Sequence, residues 1–184
     1  MRVVITDFDG VLNFRKYKET EEEREKLYKI YETRFGREIR LVDNAIGLAP
    51  EKVVILNEIV QKANANLLIS SSWAWSFSLP QLASMLYARG FSEPGKVIGT
   101  VVLDSLILPG GKIWWDDYDS DSRTNDSLRF RAINEWIERV QPEAFVILED
   151  NLPMGSLGDY TIMIDGQIGL LPEHIRRALE ILNV

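Results

Sequence analysis

The segment from Val3 to Asn13 constrains the fold of this chain more than any other part of the sequence. Its apolar run ends in Asp7 and Asp9, and Gly10 then interrupts it. Such a run predicts a buried strand whose carboxyl end presents two carboxylates at the edge of a sheet. In open α/β sheets this edge is where ligands bind. Because two neighbouring carboxylates repel each other, the pattern indicates a bound cation or a reaction that uses them.

Apolar strand-like runs alternate with helical segments along the rest of the chain. The helical segments carry apolar residues at helical spacing and are bounded by proline, glycine or capping residues. This alternation predicts an α/β fold, a Rossmann-like doubly wound parallel sheet covered by helices on both faces. We expect strands at Arg2–Thr6, Leu67–Ser70, Lys96–Val101, Phe145–Leu148 and Thr161–Ile164, and helices at Glu51–Ala63, Ser78–Arg89, Asp126–Val140 and Pro172–Leu182.

One segment after the first strand does not fit this alternation. Thr20 and Glu23 carry a capping-box signature, which predicts a helix that ends near Phe35. Since 184 residues suit one domain, we expect a single domain over residues 1–184, with residues 14–49 as a small helical insertion or cap. Such an insertion near the acidic edge could act as a lid over a substrate, or it could be a solvated helix without a role.

Composition excludes several classes of site. The chain has no cysteine, which excludes disulfides, thiolate nucleophiles and zinc–thiolate sites, and the cytoplasm is the expected compartment. No apolar run approaches the roughly 20 residues of a membrane span, so no membrane is expected as a partner. The formal net charge of −7 argues against a protein that coats nucleic acid, although a local basic groove is compatible with it.

Polar side chains follow three of the apolar runs at the point where each run ends. Asp7 follows the first run, Ser70 is the last residue of the second, and Glu149 with Asp150 follows the run Phe145–Leu148. Because parallel strands of one sheet end on the same edge, we expect these side chains to converge in one crevice. Several carboxylates and a hydroxyl form a hard oxygen site, which suits Mg²⁺ better than zinc.

Taken in order, these segments resemble the motifs of the haloacid dehalogenase (HAD) superfamily of phosphotransferases. The segment Asp7–Asn13 resembles the first motif, and Leu68–Trp73 resembles the second. The segment Arg129–Ile137 resembles the region of the basic third motif, and Val146–Asn151 resembles the acidic fourth. The tail Ile164–Leu171 is similar to the closing strand and turn of the family. Within the superfamily, the chain is similar to the HAD domains associated with Swiss-army-knife RNA repair proteins.

The resemblance implies a Mg²⁺-dependent phosphomonoester hydrolase that works through an aspartyl-phosphate intermediate. Asp7 would be the nucleophile, and Asp9 would protonate the leaving oxygen and then activate water. Mg²⁺ would be held by Asp7, the backbone carbonyl of Asp9, and Glu149 or Asp150. Family members often carry two aspartates at the fourth motif, so the glutamate at position 149 leaves open which acid is the direct ligand.

The resemblance also implies which polar groups bind the phosphoryl group. Ser70 would donate a hydrogen bond to a phosphoryl oxygen, and Ser71 or Ser72 could take that role if the strand ends later. The basic residue of the third motif would shield the charges of the nucleophile and the phosphoryl group. Arg129 fits its register best, with Arg131 and Lys112 as rivals.

Three functions remain open on these grounds. The first is hydrolysis of a nucleotide or another small phosphometabolite. The second is removal of a phosphate, expected at the 3′ end, from a nucleic acid during RNA or DNA repair. The third is a catalytically silent binding module that keeps the scaffold without turnover. The sequence indicates neither the oligomeric state nor a protein partner.

Overall fold

A five-stranded parallel sheet forms the centre of the molecule. The computed structural model describes residues 1–18, 20–34, 47–101, 128–151 and 154–184. The strands of this part of the chain are β1 Arg2–Thr6, β2 Asn66–Ile69, β3 Val97–Thr100, β4 Ala144–Glu149 and β5 Thr161–Met163. They are all parallel and lie in the order β3-β2-β1-β4-β5. The predicted α/β class and parallel sheet are confirmed.

Helices cover both faces of this sheet, as expected for a doubly wound fold. The described helices are α1 Glu21–Arg34, α2 Pro50–Lys62, α3 Leu79–Ala88, α4 Leu128–Val140 and α5 Glu173–Ile181. Residues of α2, α3 and α5 form one core with Val4, Leu67 and Val146 of the sheet. Residues of α4 pack on the opposite face, against Ile5 and Phe145. Because the central strands are buried on both faces, their sequences are continuous apolar runs.

The strand order places a topological switch point beside β1. The chain passes from β1 outward to β2 and β3, and it then returns to add β4 and β5 on the other side of β1. The carboxyl ends of β1 and β4 are therefore neighbours, with Thr6 paired to Leu148. In open α/β sheets a ligand crevice forms at such a point.

The insertion after β1 contains the predicted capped helix. The backbone N–H of Thr20 donates to Oε2 of Glu23 at 2.8 Å, and the backbone N–H of Glu23 donates to Oγ1 of Thr20 at 3.2 Å. Leu27 is buried in the core cluster, so α1 packs on the domain. Residues 35–46 lie outside the described residues, and the lid stays a prediction. In the described part of the chain, every helix is too short or too polar to span a lipid bilayer.

Candidate active site

Hydrogen bonds beyond the ends of the central strands gather the predicted residues. The backbone N–H of Asp7 donates to the carbonyl oxygen of Leu148 at 3.1 Å, which extends the pairing of β1 with β4. On the other side of β1, the backbone N–H of Ser70 donates to the carbonyl oxygen of Thr6 at 2.8 Å. Asp7 therefore lies between Ser70 and the last residue of β4, Glu149.

The loop after Asp7 is anchored by apolar side chains. Phe8, Val11 and Leu12 are fully buried, whereas Asp9 between them is exposed. The carbonyl oxygen of Phe8 accepts hydrogen bonds from the backbone N–H groups of Leu12 and Asn13 at 2.9 and 2.8 Å, which closes the turn. The burial of its neighbours thus directs the Asp9 carboxylate toward solvent at the sheet edge.

Arg129 joins the two buried acids of the site. Its Nη1 donates to Oδ2 of Asp7 and, at 2.8 Å, to Oε2 of Glu149. The other oxygen of Glu149 lies 3.2 and 3.3 Å from the backbone N–H groups of Asp150 and Asn151, which donate to it. Both oxygens of the glutamate therefore accept hydrogen bonds from the protein, and one of these bonds comes from the arginine.

The two alternative residues for the basic third-motif position do not contact Asp7 in the described part of the structure. Arg131 is exposed on α4, two residues beyond Arg129, and Lys112 lies outside the described residues. Arg129 is therefore the predicted basic residue that contacts Asp7 in the described structure.

Three carboxylates form a compact acidic group. Oxygen atoms of Asp7, Glu149 and Asp150 all lie within 4.8 Å of one another. Burial raises the pKa of Asp7 to about 6, an effect that Arg129 opposes and Glu149 reinforces. Burial and the charge of Asp7 also raise the pKa of Asp150. Three ionised carboxylates this close together repel one another when no cation is bound. All their ligand atoms are oxygens, which suits a hard divalent cation. The Asp9 carboxylate does not belong to this group.

Two glycines make room for the third carboxylate. A Cβ atom at Gly10 would lie 1.9 Å from Oδ2 of Asp150, and one at Gly166 would lie 2.4 Å from the same oxygen. Gly10 also has a φ of +73°, a backbone conformation that residues other than glycine rarely adopt. The Asp150 carboxylate is thus held in a space that a methyl group at either position would fill. The sequence signals Gly10 through its motif, but nothing in the sequence relates Gly166 to Asp150.

The two serines after β2 have different partners. The Ser71 hydroxyl is hydrogen-bonded to the Asp7 carboxylate, and its oxygen also accepts from the backbone N–H of Trp73 at 3.4 Å. The Ser70 hydroxyl is buried, and no residue of the described part of the chain makes a hydrogen bond with it. A buried hydroxyl without a partner costs free energy unless a ligand satisfies it, so Ser70 fits an incoming polar group.

Two further side chains at the site have a partner that the sequence does not predict. Asn13 and Trp73 both donate hydrogen bonds to the Asp9 carboxylate. Both residues stand inside segments that resemble family motifs, but their spacing does not show that their N–H groups reach Asp9.

Comparison with known proteins agrees with this arrangement. The model of a protein family described as "HAD domain in Swiss Army Knife RNA repair proteins" matches residues 3–175. The matched range contains every side chain of the site described above. No curated protein and no solved structure matches the chain.

Proposed function

The chain belongs to the family of HAD domains in Swiss Army Knife RNA repair proteins, and from this premise we propose that it hydrolyses phosphomonoesters with Asp7 as the nucleophile. The family supports a HAD-type phosphatase in the context of RNA repair. One observation carries the finer proposal: the buried Asp7 carboxylate contacts Arg129, and Ser70 at the neighbouring strand end has a buried hydroxyl with no hydrogen-bond partner among the described residues. In the proposed site these residues supply the nucleophile, a cation and a hydrogen-bond donor at the switch point of the sheet.

The proposed reaction has two steps. An oxygen of the Asp7 carboxylate attacks phosphorus, the bond to the leaving oxygen breaks, and Asp9 gives that oxygen its proton. The product is an aspartyl-phosphate on Asp7. Water then attacks the phosphorus of this acyl phosphate and loses a proton to Asp9, which releases inorganic phosphate and regenerates both carboxyl groups. Arg129 and Ser70 face the phosphoryl oxygens, where positive charge and a hydrogen-bond donor stabilise the developing charge.

The proposed cofactor is Mg²⁺. Its ligands would be the carboxylates of Asp7 and Asp150 and the backbone carbonyl of Asp9, with Glu149 as the alternative to Asp150. When bound, Mg²⁺ supplies positive charge that lowers the repulsion between the carboxylate nucleophile and the phosphate dianion.

A pH-dependent gain of stability is expected from Mg²⁺. The pKa of Asp7 in the folded protein is raised from 3.8 to about 6, so without metal its stabilising contribution is present at low pH and is lost as the pH rises to 6. That shift corresponds to roughly 3 kcal/mol between the two limits. Mg²⁺ binds the ionised form, so it should raise the unfolding temperature clearly at about pH 7.5 and little at about pH 5. Thermal unfolding with Mg²⁺ and with EDTA at both pH values measures this. An equal rise at the two values would contradict metal binding at Asp7.

The glycine beside Asp150 offers a separate test of the metal site. Gly166→Ala is expected to weaken Mg²⁺ binding about tenfold, because the new methyl group displaces the Asp150 carboxylate. Gly166 is not among the glycines with a positive φ, so the fold should tolerate alanine. Calorimetric titration measures the affinity, with Gly158→Ala as the matched control, since nothing lies within 4 Å of a Cβ atom at Gly158. Unchanged affinity in Gly166→Ala would remove Asp150 from the proposed ligands.

The activity itself is tested by phosphate release from an aryl phosphate and from a panel of mononucleotides, with Mg²⁺ and with EDTA. We expect turnover that requires the metal. Metal-dependent stabilisation without any phosphate release, equal to that of an Asp7→Asn variant, would instead support the silent binding module.

A nucleic-acid end is the second candidate substrate, and one surface favours it. The segment directly after Asn13 carries three exposed cations, Arg15, Lys16 and Lys18, interleaved with Phe14 and Tyr17. Basic and aromatic side chains together suit a single-stranded nucleic acid. Comparing a 3′-phosphorylated oligonucleotide with a mononucleotide at about 50 and 200 mM salt separates the candidates, because only the oligonucleotide should lose affinity steeply with salt.

A further inference from the structure

The exposed Asp9 carboxylate is held from two sides. Nδ2 of Asn13 donates to its Oδ1 at 3.1 Å, and Nε1 of Trp73 donates to its Oδ2 at 3.0 Å. Asn13 belongs to the same loop as Asp9, whereas Trp73 follows β2. An exposed aspartate without partners would populate several rotamers. With one donor on each oxygen, this carboxylate is restricted to one orientation.

Trp73 is itself fixed by its surroundings. Its ring lies edge-on to Phe8, with centroids 5.4 Å apart and an interplanar angle of 73°, and it packs at 6.2 Å from Phe77. Its backbone N–H donates to the hydroxyl of Ser71, which also bonds Asp7. The turn that bears Trp73 therefore connects the side chain of Asp9 to the nucleophile and to the serines beside it.

We infer that Trp73 is a positioning residue, whose indole N–H holds Asp9 where it can pass a proton to the leaving oxygen. This inference rests on the proposed function, in which Asp9 is the acid of the first step. Proton transfer requires Asp9 within hydrogen-bond distance of that oxygen as the bond to phosphorus breaks. Each carboxylate oxygen has two lone pairs. A hydrogen bond from Asn13 or Trp73 uses one of them, and the second lone pair can still carry the proton that is transferred.

The inference predicts a loss that depends on the leaving group. Trp73→Phe keeps an aromatic ring against Phe8 and Phe77 but removes the N–H that Asp9 accepts from. An alkyl phosphate needs its leaving oxygen protonated, and kcat/KM for it should fall roughly tenfold or more. A dinitrophenyl phosphate leaves without help, and its kcat/KM should change by less than about twofold.

Two controls separate positioning from a packing role. Trp75→Phe changes the other tryptophan of the same turn, which does not donate to Asp9, and it should affect neither ester. In an Asp9→Asn background, Trp73→Phe should cause no additional loss with the alkyl ester, because Trp73 acts through Asp9. Equal losses for both esters, or the same loss in the Asp9→Asn background, would overturn the inference.

A measurement on the folded protein keeps the test independent of activity. The indole N–H of Trp73, identified by its absence from the spectrum of Trp73→Phe, should exchange with water at least about tenfold faster in Asp9→Ala than in the wild type. Should Trp73→Phe not fold, Asn13→Ala removes the other donor and takes its place in the ester comparison. An unchanged exchange rate would show that the bond to Asp9 is absent in solution. A wild type inactive on both esters would instead overturn the proposed function.

Discussion

Asp7→Asn is expected to lower kcat/KM for every phosphomonoester by about 10⁴-fold or more. The amide that replaces the carboxylate is a poor nucleophile and cannot form the aspartyl-phosphate. The loss should be independent of the leaving group, because no ester can bypass the missing nucleophile. Steady-state phosphate release across activated and unactivated esters measures both properties.

This loss should not arise from unfolding. Asp7 is only 4% exposed, and burial together with Glu149 disfavours its charge, so a neutral amide is accommodated at the same position. Arg129 keeps its hydrogen bond to Glu149 in the variant. We therefore expect Asp7→Asn to unfold, in EDTA near pH 7, at a temperature no lower than that of the wild type.

The matched control is Asp165→Asn. Asp165 is an acid close to the end of β5, exposed, and bonded through Oδ1 to the backbone N–H of Gln167 at 2.8 Å. It lies outside the acidic group, so its neutralisation should leave turnover within about twofold. Substantial activity in Asp7→Asn, or an equal loss in Asp165→Asn, would contradict the assignment of Asp7 as the nucleophile.

The sequence predicted the sheet well because its central strands are buried on both faces. The predicted bounds Arg2–Thr6 are those of β1, since a continuous apolar run that ends at an acid admits few alternatives. The second strand was predicted to reach Ser70, but β2 ends at Ile69. Ser70 still pairs with Thr6 through its backbone N–H, so the difference of one residue does not move it from the site.

Choices between neighbouring residues could not be made from the sequence. Arg129 and Arg131 stand two positions apart on one helix, which separates their side chains by about 200° around its axis. Only the packing of α4 on the sheet decides which of them meets Asp7. The surroundings of Glu149 and Asp150 likewise follow from the packing, which brings Arg129 to the glutamate and two glycines to the aspartate.

The sequence also did not predict the long-range hydrogen-bond partners of the loop residues. The resemblance implies that Asp9 transfers a proton, but the sequence does not indicate which groups hold its carboxylate. In the structure it accepts hydrogen bonds from two side chains, and one of them, Trp73, is 64 positions away in the chain. A local motif specifies the residues of a site, but their hydrogen-bond partners follow from how separate loops pack at the sheet edge.

Arg129→Met is expected to destabilise the metal-free protein by about 3 kcal/mol and to lower kcat/KM by at least about 10²-fold. Without the guanidinium, Asp7 and Glu149 remain adjacent and buried with no cation between them. Removing one partner of a buried ion pair costs more than the pair contributes, because the remaining charge is left unpaired. The turnover falls because the phosphoryl charge loses its neighbouring cation. Chemical denaturation in EDTA and steady-state kinetics with Mg²⁺ measure the two effects.

If repulsion between Asp7 and Glu149 causes the loss of stability in Arg129→Met, a second substitution that removes one of these charges should restore part of it. Glu149→Gln removes one of the two unpaired charges, so Arg129→Met combined with it should be more stable than Arg129→Met alone by at least about 1 kcal/mol. Mg²⁺ should also restore part of the stability of the single variant, since a cation at Asp7 reduces the same repulsion. Arg131→Met is the matched control, being the same change at an exposed position of α4, and should stay within about 0.5 kcal/mol of the wild type. If Arg129→Met were as stable as Arg131→Met, or if the double variant were less stable than the single one, Arg129 would not be the cation on which the two buried acids depend.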